Sequence, residues 1–282
     1  MPELDALRLR LSELGDVIVA FSGGADSAFL AWVANDTLGA ERVVVATAVS
    51  PSLAGDELAD CRALAKEWGL RSVEVATGEL DNDAYQTNDG DRCYWCKSSL
   101  MDALAPIAAE SGAAVALGVN LDDLGDHRPG QRAAAERGAV FPLVDAQFTK
   151  ADVREWSQRL GLRTWDKPAA ACLASRVPYG TTVTVAVLGR IERAERALHA
   201  LGFRELRVRH YEDTARLEVP VHDLDRVLAA RDQVVRAVRA AGYAYVTLDL
   251  EGLRSGNLNS ALVAPTDPTR APRPEEMPTA RQ

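Results

Sequence analysis

Apolar and polar positions follow two different rhythms along this chain, and the change of rhythm divides it. Residues 16–21 (DVIVAF) form a short apolar run ending at a glycine pair, the pattern of a buried parallel strand. Similar runs at 43–49, 71–76 and 113–117 predict three more strands. Between them, helical spacing of apolar residues is read over 27–35, 56–68 and 97–111, and a further helix over 149–160. Within 56–68, Leu58, Cys61, Leu64, Ala65 and Trp68 recur at intervals of three and four. Thr149 suits the N-cap of the last helix, with Asp152 three residues on. Strands alternating with helices indicate an α/β fold, a doubly wound parallel sheet. Ligands of such sheets bind beyond the carboxyl ends of the strands, so chemistry is expected in the turn after the first strand.

Beyond Tyr179 the rhythm changes. A short strand is predicted over 182–185 and a helix, charged on one face, over 187–201. Residues 205–210 and 215–219 alternate like paired strands, 222–241 reads as a second amphipathic helix, and 243–250 as a last strand. The order βαββαβ suggests a small ferredoxin-like α+β domain. The expected organisation is a nucleotide-binding domain with a cysteine site over 1–180, a smaller substrate or oligomerisation domain over 181–263, and a disordered tail over 264–282. That tail holds 5 of the 13 prolines and no aromatic, Leu, Ile or Val, too little apolar surface to build a core.

Composition narrows the functional classes. The 282 residues are 47% apolar and 26% charged, an ordinary globular balance. A net charge of −9 argues against a protein that coats nucleic acid, because phosphate neutralisation needs clustered cations. The first ten residues carry no apolar h-region, and no apolar run approaches the roughly 20 residues of a spanning helix, so a cytoplasmic protein is expected. In a reducing compartment the four cysteines, Cys61, Cys93, Cys96 and Cys172, point to metal, cluster or redox chemistry rather than disulfides.

The first strand runs into Ser22-Gly23-Gly24-Ala25-Asp26-Ser27. Glycines let backbone approach a phosphate, Ser22 and Ser27 add hydroxyl donors, and the next helix supplies free N–H groups and a positive dipole end. The loop lacks the lysine of a Walker A motif. Cys93 and Cys96 follow at CxxC spacing just before a predicted helix, and Cys172 lies in a polar, turn-rich segment with Ser175, Arg176 and Pro178. Three thiols without an evident fourth suit an iron–sulfur cluster with one open iron better than a closed structural zinc site. A redox pair or half a zinc site is the alternative for the CxxC alone, and a buried small hydrophobe the alternative for Cys172. Cys61 falls on the apolar stripe of its helix and is expected in the core.

SGGADS at 22–27 matches the SGGxDS signature of the PP-loop ATP pyrophosphatases. Together with DRCYWCK at 91–97, GVNLDDLGDHRPG at 118–130, PAAACLASRVPYG at 168–180 and DLEGLRSGNLN at 249–259, it makes the chain resemble the LarE family of sulfur transferases. The resemblance implies that ATP, with Mg²⁺ held near Asp26, adenylates a carboxylate of a pyridinium mononucleotide. Sulfur then displaces AMP to leave a thiocarboxylate. Ser22, Gly23, Gly24, Asp26 and Ser27 would bind the nucleotide. Two sulfur sources occur in the family: a [4Fe–4S] cluster held by three cysteines, here Cys93, Cys96 and Cys172, or one sacrificed cysteine, here Cys172. The cluster branch is the favoured expectation, with a sulfide or other sulfur donor supplying it.

Beside Cys172, Ser175 and Arg176 are candidates to orient the acyl-adenylate. Asp126 and Arg128, at the carboxyl end of the fourth predicted strand, are candidates for the substrate-phosphate site, whereas Asp122 and Asp123 in the same turn suit a solvated turn equally well. Arg207 and Arg209 share one strand face and are candidates for a substrate phosphate. Trp95, between two thiols, suits stacking on an aromatic ligand or packing. His210 and His222 are expected on the surface. The resemblance also implies a homo-oligomer. A tRNA-thiolating PP-loop enzyme is the rival reading, disfavoured by the acidic balance.

Overall fold

The computed structural model describes residues 2–124, 128–168 and 171–254. The chain opens with helix α1 (Leu4–Leu14), which the pattern reading above does not anticipate, although Leu4, Leu7 and Leu11 line its buried side. Strand β1 (Val17–Ala20), helix α2 (Ala25–Leu38), strand β2 (Val43–Val49), helix α3 (Gly55–Glu67) and strand β3 (Ser72–Ala76) follow in alternation. A short helix α4 (Asp83–Gln86) leads to the long helix α5 (Arg92–Ser111), then strand β4 (Ala114–Leu117). Helices α6 (Pro129–Glu136), α7 (Pro142–Asp145) and α8 (Lys150–Arg159) complete this half.

The four strands form one parallel sheet in the order β3-β2-β1-β4. Val17 and Val19 of β1 pack on one face with α1 and α2, through Leu7, Leu11, Phe29 and Leu30. Ile18 points the other way and meets Leu100, Met101 and Leu104 of α5. A strand covered by helices on both faces is apolar at every position, which is why β1 reads as an unbroken run. The chain leaves β1 towards β2 on one side, while β4 lies on the other, so the strand order reverses between β1 and β4. Backbone diverges there at the carboxyl ends and opens a crevice.

The second sheet is built from strands β5 (Arg207–Tyr211), β6 (Thr214–Glu218) and β7 (Tyr245–Leu248), with helices α9 (Val185–Ala200), α10 (Leu224–Ala229) and α11 (Arg231–Ala240). Three expectations fail here. Residues 182–185 form no strand: Val183 is buried, and the Thr184 hydroxyl accepts from Val187 N–H at 3.2 Å to cap α9. The sheet therefore has three described strands, ordered β5-β6-β7, with β5 antiparallel and β7 parallel to β6. The ferredoxin-like arrangement is not formed among the described residues. The single helix predicted over 222–241 is divided into α10 and α11 around Ala230. Residues 264–282 of the expected tail lie outside the described residues. No helix among the described residues is long and apolar enough to cross a membrane.

Candidate active site

The phosphate-loop candidates lie at the β1–β4 crevice. Gly23 takes a left-handed backbone (φ 67°), and a Cβ there would meet Cys61 Sγ at 2.9 Å. Cys61 is thus the floor of the loop, buried as expected, and burial pushes its thiol up to about 11. Gly24 is the N-cap of α2 and offers no capping side chain, so no loop side chain competes for the first N–H groups of that helix. The Ser22 and Ser27 hydroxyls lie 3.1 Å apart, and Ser27 Oγ also donates to Gly24 O at 3.2 Å. Gly118, just past β4, packs so closely on the start of α2 that a Cβ would come within 2.8 Å of Ser27 N.

Asp26 is held from two directions. Asn120 Nδ2 donates to its Oδ1 at 3.1 Å, and Lys150 Nζ pairs with its Oδ2. Asp122 Oδ2 accepts from Lys150 N–H at 2.7 Å, and Asp123 pairs with Arg128 at 2.9 Å. Asp122, Asp123 and Arg128 therefore build the loop wall beside Asp26. Asp126 lies outside the described residues.

The CxxC pair falls within the first turns of α5, not before the helix as the spacing suggested. Residues three apart on a helix share a face. Cys93 is exposed and Cys96 half-buried; Cys172, at the head of a short 3-10 turn over Leu173–Arg176, is exposed. Burial, then the charges of Cys172 and Glu79, push the Cys96 thiol up to about 12, with Cys93 adding to the effect. The three thiols thus share one electrostatic neighbourhood. Two segments distant in sequence are brought together by Asn88 and Arg92. Asn88 Nδ2 donates to the carbonyls of Val177, Pro178 and Thr181 at 3.3, 2.7 and 3.0 Å. Arg92 Nη1 donates to Asn88 Oδ1 at 2.5 Å and to Ala174 O at 2.8 Å. Burial works against the Arg92 charge, but the electrostatic effect of the nearby Cys172 and Cys93 outweighs it and raises its pKa. Leu173 N–H donates to Ser52 O at 2.9 Å, which fastens the residue after Cys172 to the turn that follows β2.

No family model matches the chain. Among curated proteins, it is 45% identical over 263 residues to an uncharacterized protein of Synechocystis sp., covering 92% of this chain and 98% of that protein. It is 39% identical over 253 residues to the pyridinium-3,5-bisthiocarboxylic acid mononucleotide synthase of Lactiplantibacillus plantarum, covering 89% of this chain and 92% of that enzyme. The chain belongs to the LarE family. A more distant relative, 26% identical over 240 residues, is an uncharacterized protein of Methanocaldococcus jannaschii, matched over 85% of this chain and 91% of that protein.

In this LarE-family protein, the remaining candidates converge on the turn that carries Cys172. Arg176 is buried and faces inward, with Nε and Nη2 on the Glu195 carboxylate at 2.9 and 3.1 Å. Its Nη1 donates to the carbonyls of Ala171 and Cys172 and to Ser175 Oγ. Arg209 is buried too; it donates to Ser175 O at 2.7 Å and to Glu218 Oε2 at 2.8 Å. Arg207 lies on the same strand face and is half-buried. Burial, then the charges of Arg209 and Arg176, lower its pKa. Three guanidinium groups thus stand together, balanced by the buried carboxylates of Glu195 and Glu218. Such a cluster is suited to an anion. Trp95 packs against the junction core around Tyr85, Leu173 and Leu188 and meets Tyr94 edge-on at 5.2 Å. His210 corrects an expectation: it is buried, with its ring nitrogen 3.2 Å from Tyr243 OH, because β5 turns it towards α9 and α11. His222 is exposed, as expected.

As a donor set, three coupled thiols suit a three-thiolate iron–sulfur cluster in kind. Among the described residues no group of three or more His, Cys, Asp or Glu is arranged to hold a metal ion. Sequence reasoning missed Lys150, Asn120, Asn88, Glu195 and Glu218. Asn88, four residues before Arg92, left a local signal: an i, i+4 polar pair entering the CxxC helix.

Proposed function

We propose that this protein is an ATP-dependent sulfur transferase that converts a carboxylate of pyridinium-3,5-biscarboxylic acid mononucleotide into a thiocarboxylate. The observation that carries the reading is the near-full-length identity to a synthase named for the bisthiocarboxylate product. A glycine-lined phosphate loop and a three-thiol region within one fold support it.

Ser22, Gly23, Gly24 and Ser27, with the first N–H groups of α2, receive the triphosphate, and Asp26 is the carboxylate available to Mg²⁺. The substrate carboxylate oxygen attacks the α-phosphorus, the bond to the β-phosphate bridge breaks, and pyrophosphate leaves. The carboxylate becomes an acyl-adenylate, whose AMP is a far better leaving group than oxide. A sulfur nucleophile adds to the acyl carbon, the carbon–oxygen bond to AMP breaks, and a thiocarboxylate remains. Arg207 and Arg209 supply positive charge for the substrate phosphate. Arg176, its donors already engaged, positions the Cys172 turn, and Ser175 lies between that turn and Arg209.

Cys93, Cys96 and Cys172 would hold a [4Fe–4S] cluster, which when bound would supply the sulfur for transfer. A second reading is favoured by the exposure of Cys172. In that route its own thiolate attacks the acyl carbon, and loss of the Cα proton then breaks the Cβ–S bond to leave dehydroalanine. We further propose the division into domains of 1–180 and 181–263, a homo-oligomeric assembly and a cytoplasmic setting.

Anaerobic purification of the wild type and Cys93→Ala, with iron, acid-labile sulfide and product assays, tests the scheme. Near four irons per chain, lost in the variant together with repeated turnover, is the expected result. An iron-free wild type that loses sulfur mass from Cys172 after one turnover would replace the cluster by the sacrificial route. Substrate-independent or absent pyrophosphate release would overturn adenylation itself.

A further inference from the structure

The phosphate loop lacks a cation of its own: Ser22 through Ser27 contain no lysine, arginine or histidine. Pyrophosphate nevertheless leaves with more negative charge than the bound triphosphate presents at that bond, and a preorganised cation is the usual means of stabilising it. One lysine touches the loop. Lys150, at the start of α8, puts Nζ on Asp26 Oδ2 across 124 residues of sequence. Its backbone is held on two counts. Thr149 and Asp152 form a reciprocal capping box that fixes where α8 begins. Asp122 accepts from Lys150 N–H. Asp122 itself sits in the turn after β4, where Asn120 donates to the other oxygen of Asp26. The end of β4 and the start of α8 are thus locked together around one loop carboxylate.

An ammonium carries three donors, and Asp26 Oδ2 engages one of them. We propose that Lys150 is a further catalytic residue of the adenylation step, the cation that a Walker A loop would carry internally, and that it stabilises the departing pyrophosphate. In the nucleotide-free protein it neutralises Asp26, which would otherwise repel the triphosphate. With nucleotide bound, it turns a donor to the phosphates while Asn120 retains Asp26. The inference rests on the ATP reading given above. Lys150 comes from the second of two distant chain segments, so the charge arrives only when the fold is complete.

The test uses the full chain with ATP and the pyridinium dicarboxylate mononucleotide, and reads pyrophosphate release, equilibrium ATP binding and thermal melting. An interaction made mainly with the leaving group lowers kcat and kcat/KM together and leaves ground-state binding nearly intact. Lys150→Met is expected to lose about 100-fold or more in kcat while ATP binding changes by less than about 5-fold, and Lys150→Arg to recover at least about 10-fold of that loss. A purely structural lysine would instead lower the melting temperature and weaken binding and turnover alike. Amine labelling of the wild-type protein, read by mass spectrometry at Lys150 with and without pyrophosphate, does not depend on any variant folding. Protection by pyrophosphate is expected. Wild-type turnover with Lys150→Met within about 3-fold in kcat, or no protection of Lys150, would overturn the proposal and leave the ATP reading standing. A wild-type chain that binds no ATP would overturn both.

Discussion

Asn88 decides how the two cysteine segments meet. It is fully buried, takes a left-handed backbone (φ 57°) that Asn tolerates better than most residues, and satisfies three carbonyls of the 177–181 segment while accepting from Arg92. Removing its amide strands those carbonyls and one donor of a buried guanidinium, and unsatisfied buried polar groups are costly. Asn88→Ala is expected to destabilise the protein by about 2 kcal/mol or more in urea unfolding. Alkylation of Cys172 in the folded variant should also quicken relative to Cys93, because the turn carrying Cys172 loses its anchor. Equal rates for the two thiols in variant and wild type would show that Ser52 and Arg176 suffice to hold the turn.

Elements place the chemistry by where they begin. The start of α2 presents backbone donors, the start of α5 presents two thiols on one face, and the start of α8 presents Lys150. Of these three, only α8 has a full capping box, with Thr149 Oγ1 accepting from Asp152 N–H at 3.2 Å and Asp152 Oδ2 accepting from Thr149 N–H at 2.9 Å. Thr149→Ala should cost about 1 kcal/mol in denaturant unfolding. If the cap also fixes Lys150, the same variant loses pyrophosphate-release activity at temperatures where it is fully folded. The unused capping position at α2 is consistent with the same logic, since a side chain there would occupy the N–H groups a phosphate needs.

Across the whole molecule, the two sheets are joined by charge as well as by apolar contact. Arg176 and Arg209 bridge the Cys172 turn to Glu195 of α9 and Glu218 of β6, and Gly55 N–H at the start of α3 donates to Glu192 of α9 at 2.8 Å. Stability should respond to pH through buried titratable groups. Burial, then the charge of Arg190, depresses the His210 pKa, with Glu212 and Asp213 opposing the shift. As pH falls below the ordinary histidine value of about 6.5, the unfolded chain takes up the proton first, so stability drops until the folded pKa is reached. Urea midpoints should therefore fall between pH 7.5 and 5.5, and His210→Gln should flatten that slope. Asp60 acts in the same direction, but at lower pH. Burial alone would raise its carboxyl, but hydrogen bonds from Lys167 and Arg163 outweigh it and hold it low. Its contribution is present above the unfolded carboxylate range and is lost only in stronger acid.

Much of this protein was legible in its sequence. The apolar runs fixed four strands, the glycine pair after the first marked the loop, and the capping signal at Thr149 set the start of α8. These features depend on side-chain period and turn sterics acting within a few residues, so local pattern is enough to specify them. The strand expected at 182–185 failed for the converse reason: Val183 is buried by contacts with the junction core, which the local pattern does not contain. Tertiary structure alone decided that Lys150 meets Asp26, that Arg92 meets Ala174, and that Arg209 reaches Ser175. It also buried His210, which is expected on the surface from the sequence alone. Long flexible side chains find partners according to how whole elements pack, and that packing is set by the summed core rather than by any one segment.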